Sequence, residues 1–436
     1  MKKLVYLLFL ILTFYKTEAQ TYFPPISGNT WDTVAPASLG WCLDSLNSVY
    51  NYLGQKNTKA FIILKDGKIA LEKYYGTFTK DSVWYWASAG KTLIGFSTGM
   101  AQEQGYLKIS DTTSKYLGNG WTSLSPTQEK AITIRHQLTM TTGLDDGVSS
   151  SDCTDPACLQ YKAAPGTRWS YHNAPFTLMH KVLDNATGNF TLFFTTKLRN
   201  KIGLGGIWLK GAGSDTFNIV YYSTPRGMAR FGLLLLNKGI WNSDTLLHDT
   251  AYMRQMTTTS QSLNLSYGYL TWLNGKSSYM VPQSQLAFPT SLVPNAPADM
   301  FCALGKNDQK IYVVPSANMV VIRMGNDAGF PALAVSAFDN ELWGKLKDIF
   351  CIPTNSIHHI SSSNISIYPN PANDVINIIT PYNYTASLHN ITGQLLATYN
   401  IKKGTNNINT QQLQTGTYYI TLCNEQENKT FRFVKQ

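Results

Sequence analysis

Ser88-Ala89-Gly90-Lys91 sets a hydroxyl and an amine three residues apart, and on a helix that spacing puts both on one face. A serine hydroxyl is a poor nucleophile unaided, but a neighbouring amine whose pKa is lowered by burial can accept its proton. If Ser88 opens a helix, the helix N-terminus also brings partial positive charge near an oxyanion formed at a carbonyl under attack. By itself the pair is weak evidence, since a helix cap followed by a surface lysine has the same pattern. Tyr171-His172-Asn173 changes the balance, because it follows the turn Pro165-Gly166-Thr167-Arg168-Trp169-Ser170 and stands just before a helical stretch.

The elements around these residues can be read from periodicity. Apolar Leu93, Ile94, Phe96, Met100 and Ala101 recur at helical spacing from Ser88 to Gln104, with Gly105 at the expected stop. A second helix is predicted from about Pro175 to Ala186, ended by Gly188, and a third over Met228 to Leu236 after Ser223-Thr224-Pro225. Phe61 to Leu64 and Lys68 to Tyr75 flank Asp66-Gly67 as a hairpin. Late strands are expected at Met300–Leu304, Ile311–Val314 and Met319–Met324. Strands at both ends with helices between them predict an α+β domain, one antiparallel sheet built from the two chain ends and flanked by helices.

The order Ser-x-x-Lys, then Ile134 to Leu144 (Ile-Arg-His-Gln-Leu-Thr-Met-Thr-Thr-Gly-Leu), then Pro-Gly-Thr-x-Trp-x-Tyr-x-Asn resembles the class C β-lactamase-related serine hydrolases over most of residues 50 to 350. That group includes esterases, D-amino-acid peptidases and hydrolases of 6-aminohexanoate oligomers. The resemblance implies a β-lactamase/transpeptidase-like fold and no cofactor. It implies Ser88 as the acylated nucleophile, Lys91 easing its deprotonation, Tyr171 passing the proton to the leaving group, and Asn173 holding Lys91 and substrate by hydrogen bonds. His172, at the variable middle position, receives no role. The third family motif, Lys-Thr-Gly or His-x-Gly, falls on Ala303-Leu304-Gly305, with the backbone N–H of Lys306 as second oxyanion donor beside that of Ser88. Ala303 replaces the usual cationic or imidazole side chain, so anionic substrates would lose an anchor. Trp84 and Trp86 are open to two readings, pocket wall or core.

The rest of the sequence bounds this reading. With 43% hydrophobic and 14% charged residues, the 436-residue chain is globular, with room for a large core and an accessory module. Lys2 and Lys3, the apolar run Leu4 to Tyr15 and Thr17-Glu18-Ala19 predict an export signal over residues 1–19; the run is too short to span a bilayer. Of the net charge of +10, the leader and the last seventy residues each carry +2, and the remaining +6 is scattered, which argues against nucleic-acid binding. No metal motif is present. Among six cysteines, Cys153 and Cys158 enclose a short polar loop and are the one assigned disulfide; Cys42, Cys302, Cys351 and Cys423 cannot be paired from sequence.

A hydrolase domain is thus expected over 20–353, a polar linker over 354–364, and a small β-sandwich over 365–436. The last segment, with Tyr368-Pro369-Asn370-Pro371-Ala372, the Thr392-Gly393-Gln394 turn and Leu413 to Tyr419, closely resembles the C-terminal sorting domain of the type IX secretion system, implying that machinery as partner and a secreted or surface-attached product. Two rivals to an ester or amide hydrolase stand: a β-lactamase or D-peptidase acting on cell-wall-like substrates, and a catalytically silent binding module. Against silence, such a module has no chemical need for Ser88, Lys91, Tyr171 and Asn173 together.

Overall fold

The computed structural model describes residues 21–28, 30–210, 219–329, 335–350, 365–390, 394–424 and 428–436. The expected leader, 1–19, and linker, 354–364, lie outside the described residues, as does Cys351. The chain divides into two compact units, Met1–Cys351 and Ile352–Gln436.

In the first unit the principal elements are α1 (Leu46–Gln55), β1 (Thr58–Lys65), β2 (Lys68–Tyr74), β3 (Trp84–Tyr85), α2 (Gly90–Glu103), α3 (Asn173–Thr187), β4 (Ile207–Lys210), β5 (Ile219–Ser223), α4 (Pro225–Leu236), β6 (Trp272–Leu273), β7 (Phe301–Gly305), β8 (Gln309–Val314), β9 (Met319–Gly325) and α5 (Ala337–Phe350). Six of the strands form one antiparallel sheet in the order β2-β1-β9-β8-β7-β6. The two chain ends meet at its centre, where Phe61 pairs with Arg323 and Ile63 with Val321. The β1–β2 turn works because Asp66 (φ 52°) and Gly67 (φ 82°) both take the left-handed conformation that a tight hairpin needs.

Helix α4 lies on this sheet. Thr224 caps it through its side chain, Pro225 fills the first helical position, and Met228 to Leu236 are buried. A Cβ at Gly232 would come within 2.5 Å of Val320 Cγ1, so this glycine lets the helix approach the strands closely. Helix α2 is enclosed on every side, with each residue from Gly90 to Ala101 buried. Such a helix belongs to the interior, and the one charged side chain in that stretch, Lys91, is carried inward with it. A smaller sheet, β3-β5-β4, stands beside the start of α2.

The second unit is a small sandwich-like pair of sheets, one of Ser366–Tyr368, Val375–Thr380 and Gly404–Asn409, the other of Tyr384–Asn390, Leu395–Ile401, Gly416–Cys423 and Asn428–Lys435. It has its own core, including Ile376, Ile378, Leu388, Ile420, Leu422 and Phe433. Among the described residues no helix is long and apolar enough to cross a membrane.

Because each unit encloses its own apolar core, a chain lacking residues 365–436 is expected to unfold cooperatively with a Tm within ~3 °C of the main transition of the full chain. Calorimetry of both chains checks this; a much lower Tm would mean that the tail supports the larger core.

Candidate active site

Ser88 does not stand in the first turn of the long helix. It occupies a separate 3-10 turn, Ala87–Ala89, which runs into α2 at Gly90. The chain enters this turn through Ala87 at φ 47°, a left-handed conformation that costs an alanine about 1–2 kcal/mol. Neighbouring contacts hold it there. Trp86, fully buried, donates from Nε1 to Ser223 Oγ at 2.9 Å, and its backbone N–H donates to Tyr221 O at 2.8 Å. On the other side, a Cβ at Gly305 would lie 2.4 Å from Trp86 O and 3.1 Å from Ser88 N. Glycine is therefore required where the end of β7 abuts the serine turn.

Lys91 Nζ lies 3.1 Å from Ser88 Oγ and 2.9 Å from Asn173 Oδ1. It also sits 4.1 Å from the Phe176 ring centroid and 5.1 Å from that of Tyr171. Burial lowers its pKa to about 7, with Asp152 pulling weakly the other way. Near neutrality a large share of the amine is thus unprotonated and able to accept a proton.

Tyr171 and Asn173 are brought to Lys91 by the turn before α3, and residues 134–144 hold that turn. Ser170 N–H donates to Met140 O at 2.9 Å, Gly166 N–H to Thr141 O at 2.8 Å, and Gln137 Nε2 to Pro175 O at 2.9 Å. The Tyr171 ring stacks on Trp272 at 5.5 Å and meets Tyr267 edge-on at 6.2 Å. Burial drives its pKa upward, against smaller opposing effects of hydrogen bonds with Ser88 and Trp272, so the phenol keeps its proton. His172 points elsewhere: it is 1% exposed, burial lowers its pKa to about 4, and neither ring nitrogen has a hydrogen-bond partner.

These groups line a cavity of about 400 Å³ together with Tyr85, Phe176, Tyr222, Asp146, Asp152 and Lys306. Lys306 is exposed and reaches the cavity wall. Ala303 is buried in β7 and does not line it. Of the two tryptophans left open by sequence, Trp86 belongs to the core, and Trp84 turns its Nε1 to Gly325 O at 3.1 Å; the residue between them, Tyr85, forms the wall. Strand alternation at 84–86 would have given that answer.

The acidic wall is what sequence reasoning missed. Asp146 pairs with Arg168 at 2.7 Å, whereas Asp152 Oδ1 is buried without a hydrogen-bond partner. Asp152 is fixed by its neighbours: Ala174 N–H donates to Ser151 O at 3.0 Å, and Cys153 is bonded to Cys158. Cys42 is also disulfide-bonded, while Cys302 and Cys423 are free. Among the described residues no three His, Cys, Asp or Glu side chains gather into a metal-binding group.

An antiparallel sheet built from both chain ends, with a Ser-Lys pair beneath it, is the architecture of β-lactamases and penicillin-binding-protein relatives. The chain belongs to the Beta-lactamase family, which residues 54–342 match. Residues 366–436 match the Secretion system C-terminal sorting domain, the tail that directs type IX secretion to the cell surface or beyond. An uncharacterised protein of Alkalihalophilus pseudofirmus is 23% identical over 305 residues, covering 62% of this chain and 84% of its own. A putative 6-aminohexanoate-dimer hydrolase from Bacillus anthracis is similar in structure, with TM-score 0.53 and 18% identity over 69% of this chain and 81% of its own. So is EstCE1, a hydrolase with promiscuous acyltransferase activity, with TM-score 0.53 and 14% identity over 72% of this chain and 99% of its own. At these identities the structural likeness is one of fold.

The pKa of Lys91 generates a prediction. Below it the amine is protonated and cannot take a proton from Ser88, so kcat/KM for any ester turned over is expected to fall on the acid side with a midpoint of about 7. Because Asp152 raises the Lys91 pKa, Asp152→Asn is expected to move that midpoint to lower pH. A pH–rate profile of both proteins checks this, and a midpoint unmoved or moved upward in the variant would count against the assignment.

Proposed function

We propose that this protein is an exported serine hydrolase that cleaves an ester or amide bond through an acyl-Ser88 intermediate. The observation that carries the reading is the approach of Lys91 Nζ to Ser88 Oγ, 3.1 Å, at a cavity also lined by Tyr171 and Asn173. As Ser88 Oγ attacks the carbonyl carbon, unprotonated Lys91 takes its proton. Negative charge grows on the carbonyl oxygen, where the backbone N–H groups of Ser88 and Lys306 would stabilise it. Tyr171, kept protonated by burial, hands a proton to the departing alcohol or amine and is reprotonated from Lys91. Water then attacks the acyl-enzyme, losing its proton along the same route, and the acid leaves with Ser88 restored.

The cavity supports a preference within this class. Ala303 offers no cation to a substrate carboxylate, and Asp152 in the wall disfavours one, the Asp146 charge being balanced by Arg168. A charge-assisted hydrogen bond contributes about 1.5–3 kcal/mol, or ten- to a hundredfold, and anionic β-lactams or peptide carboxylates forgo it here unless Lys306 folds over them. Neutral short-chain esters and small amides are therefore the favoured substrates. The sorting domain would engage the type IX machinery, and a chain without residues 365–436 is expected to stay active but remain in the periplasm of its host.

Two measurements test this function. Ser88→Ala is expected to remove turnover and fluorophosphonate labelling while leaving the fold intact, and Tyr171→Phe to cost on the order of 10²–10⁴-fold in kcat; near-normal rates in Ser88→Ala would exclude the mechanism. For the wild-type protein, kcat/KM for a short-chain nitrophenyl ester is expected to exceed that for a chromogenic cephalosporin at least tenfold. Equal values would favour a β-lactamase instead.

A further inference from the structure

The loop that leaves the site after Gly305 is built unusually. Lys306, Asn307 and Asp308 join β7 to β8, whose first pair is Gln309 with Gly305. Two consecutive non-glycine residues, Asn307 (φ 58°) and Asp308 (φ 57°), are left-handed. Asparagine and aspartate tolerate that conformation better than other side chains, but two in succession persist only where surrounding contacts impose them. The contacts come from a neighbouring strand of the sheet. Arg323, fully buried at the centre of β9, donates from Nη1 to Asn307 O at 2.9 Å and to Asp308 O at 3.0 Å. Its Nη2 donates to Lys56 O at 2.6 Å and Asn326 O at 2.9 Å, and its Nε to Thr58 Oγ1 at 3.2 Å.

All five guanidinium donors are thus spent on four backbone carbonyls and one hydroxyl, with no carboxylate in hydrogen-bond contact. Burying a cation to bind carbonyls is costly, and apolar packing of the same volume is often as stable or more so. Stability alone is a poor reason for this arginine. Two of its five bonds hold a turn whose other side faces the site. Gln309 Nε2 adds a bond to Asn307 O at 2.8 Å, and the Asp308 carboxylate, 3.1 Å from Lys310 Nζ, is itself fully buried. On the cavity side, Asn307 Nδ2 donates to the hydroxyl of Tyr85 at 2.7 Å, and Tyr85 and Lys306 both line the cavity.

We propose that Arg323 is a positioning residue for acyl transfer: by clamping the carbonyls of Asn307 and Asp308 it fixes the Lys306 N–H against the Ser88 turn and pins Tyr85 in the cavity wall. The inference rests on the reading of Ser88 as nucleophile and Lys306 N–H as oxyanion donor. A donor set loosely is ready for substrate but not for the oxyanion, so a loosened clamp slows the chemical step and leaves ground-state binding nearly untouched.

The test compares wild type with Arg323→Lys, Asn307→Gly and Thr58→Val. Lysine keeps the charge but cannot span both carbonyls. Glycine accepts φ 58° without strain, so Asn307→Gly keeps the fold and the clamped carbonyls while freeing Tyr85. Thr58→Val removes an Arg323 contact that does not touch the turn. Arg323→Lys is expected to lower kcat for a nitrophenyl ester about 10–100-fold and Asn307→Gly about 5–20-fold, with KM within about threefold, and with affinity for an alkylboronic acid, which forms a tetrahedral adduct on serine, falling in step with kcat/KM. Thr58→Val is expected to lower Tm but to keep kcat within about twofold. If Arg323→Lys does not fold, Arg323→Gln, which has too few donors to hold the same carbonyls, takes its place under the same criteria. Wild-type kcat in the variants that fold, an effect confined to KM, or an equal kcat loss in Thr58→Val would overturn the proposal. Wild-type protein that fluorophosphonate leaves unlabelled at Ser88 would overturn the underlying function and this inference together, whereas labelled wild type with unaffected variants would overturn the inference alone.

Discussion

A buried amine without a carboxylate in hydrogen-bond contact is the constraint around which the candidate site is organised. Lys91 is carried inside because α2 is interior on all faces, and its two hydrogen-bond neighbours, Ser88 Oγ and Asn173 Oδ1, are both uncharged. An ion pair there would restore the proton that burial removes. The structure supplies a side-chain amide, two aromatic rings and one acid too distant to do more than temper the effect. Two segments far apart in sequence, the Ser88 turn and the Tyr171 turn, must then be rigid enough to keep that environment dry. Trp86 fastened to β5, and residues 134–144 beneath the Tyr171 turn, provide the rigidity.

Polarity around the amine is sorted by source. Aromatic and apolar wall residues come from the segments around β3 and β5 and from Tyr171 and Phe176 at the start of α3, acidic ones from residues 146–152, and the exposed lysine from the β7–β8 loop. Each wall is anchored differently, by strand pairing, by a disulfide next to Asp152, and by a buried guanidinium. Change in one wall need not disturb the other two, which is how a shared scaffold can present different chemical faces to the same serine.

Much of this was legible in the sequence, for identifiable reasons. The Ser-x-x-Lys pair and the Tyr171-His172-Asn173 turn are local patterns, and hairpins and helices such as Thr58–Tyr74 and Pro225–Leu236 carry their own turn and cap signals. The secretion tail is likewise a run of contiguous motifs. What escaped depends on distant partners. Ser88 is expected to open the long helix and stands instead in a 3-10 turn just before it, entered through left-handed Ala87 beside Trp86, which is tied to Ser223. Asp146 and Asp152 belong to no motif, and it is the bond from Ala174 N–H at the start of α3 to Ser151 O that brings their loop to the site. Arg323 falls inside the expected strand Met319–Met324, and only the pairing of β9 between β1 and β8 shows which carbonyls it serves.

The pairing of β1 with β9 also governs how the molecule comes into being. Phe61 and Arg323 are neighbours in the sheet but lie near opposite ends of the larger unit in sequence. A chain emerging from its N-terminus can close the β1–β2 hairpin early, yet it cannot complete the central strands until Met319 to Gly325 have appeared. Closing so long a loop is slow compared with forming neighbouring hairpins. The terminal β-unit has mostly hairpin-range pairings, such as Tyr384–Asn390 with Leu395–Ile401 and Gly416–Cys423 with Asn428–Lys435. The two parts of one polypeptide therefore mature on different clocks: the smaller β-unit has the simpler search, and the larger unit has the longer one.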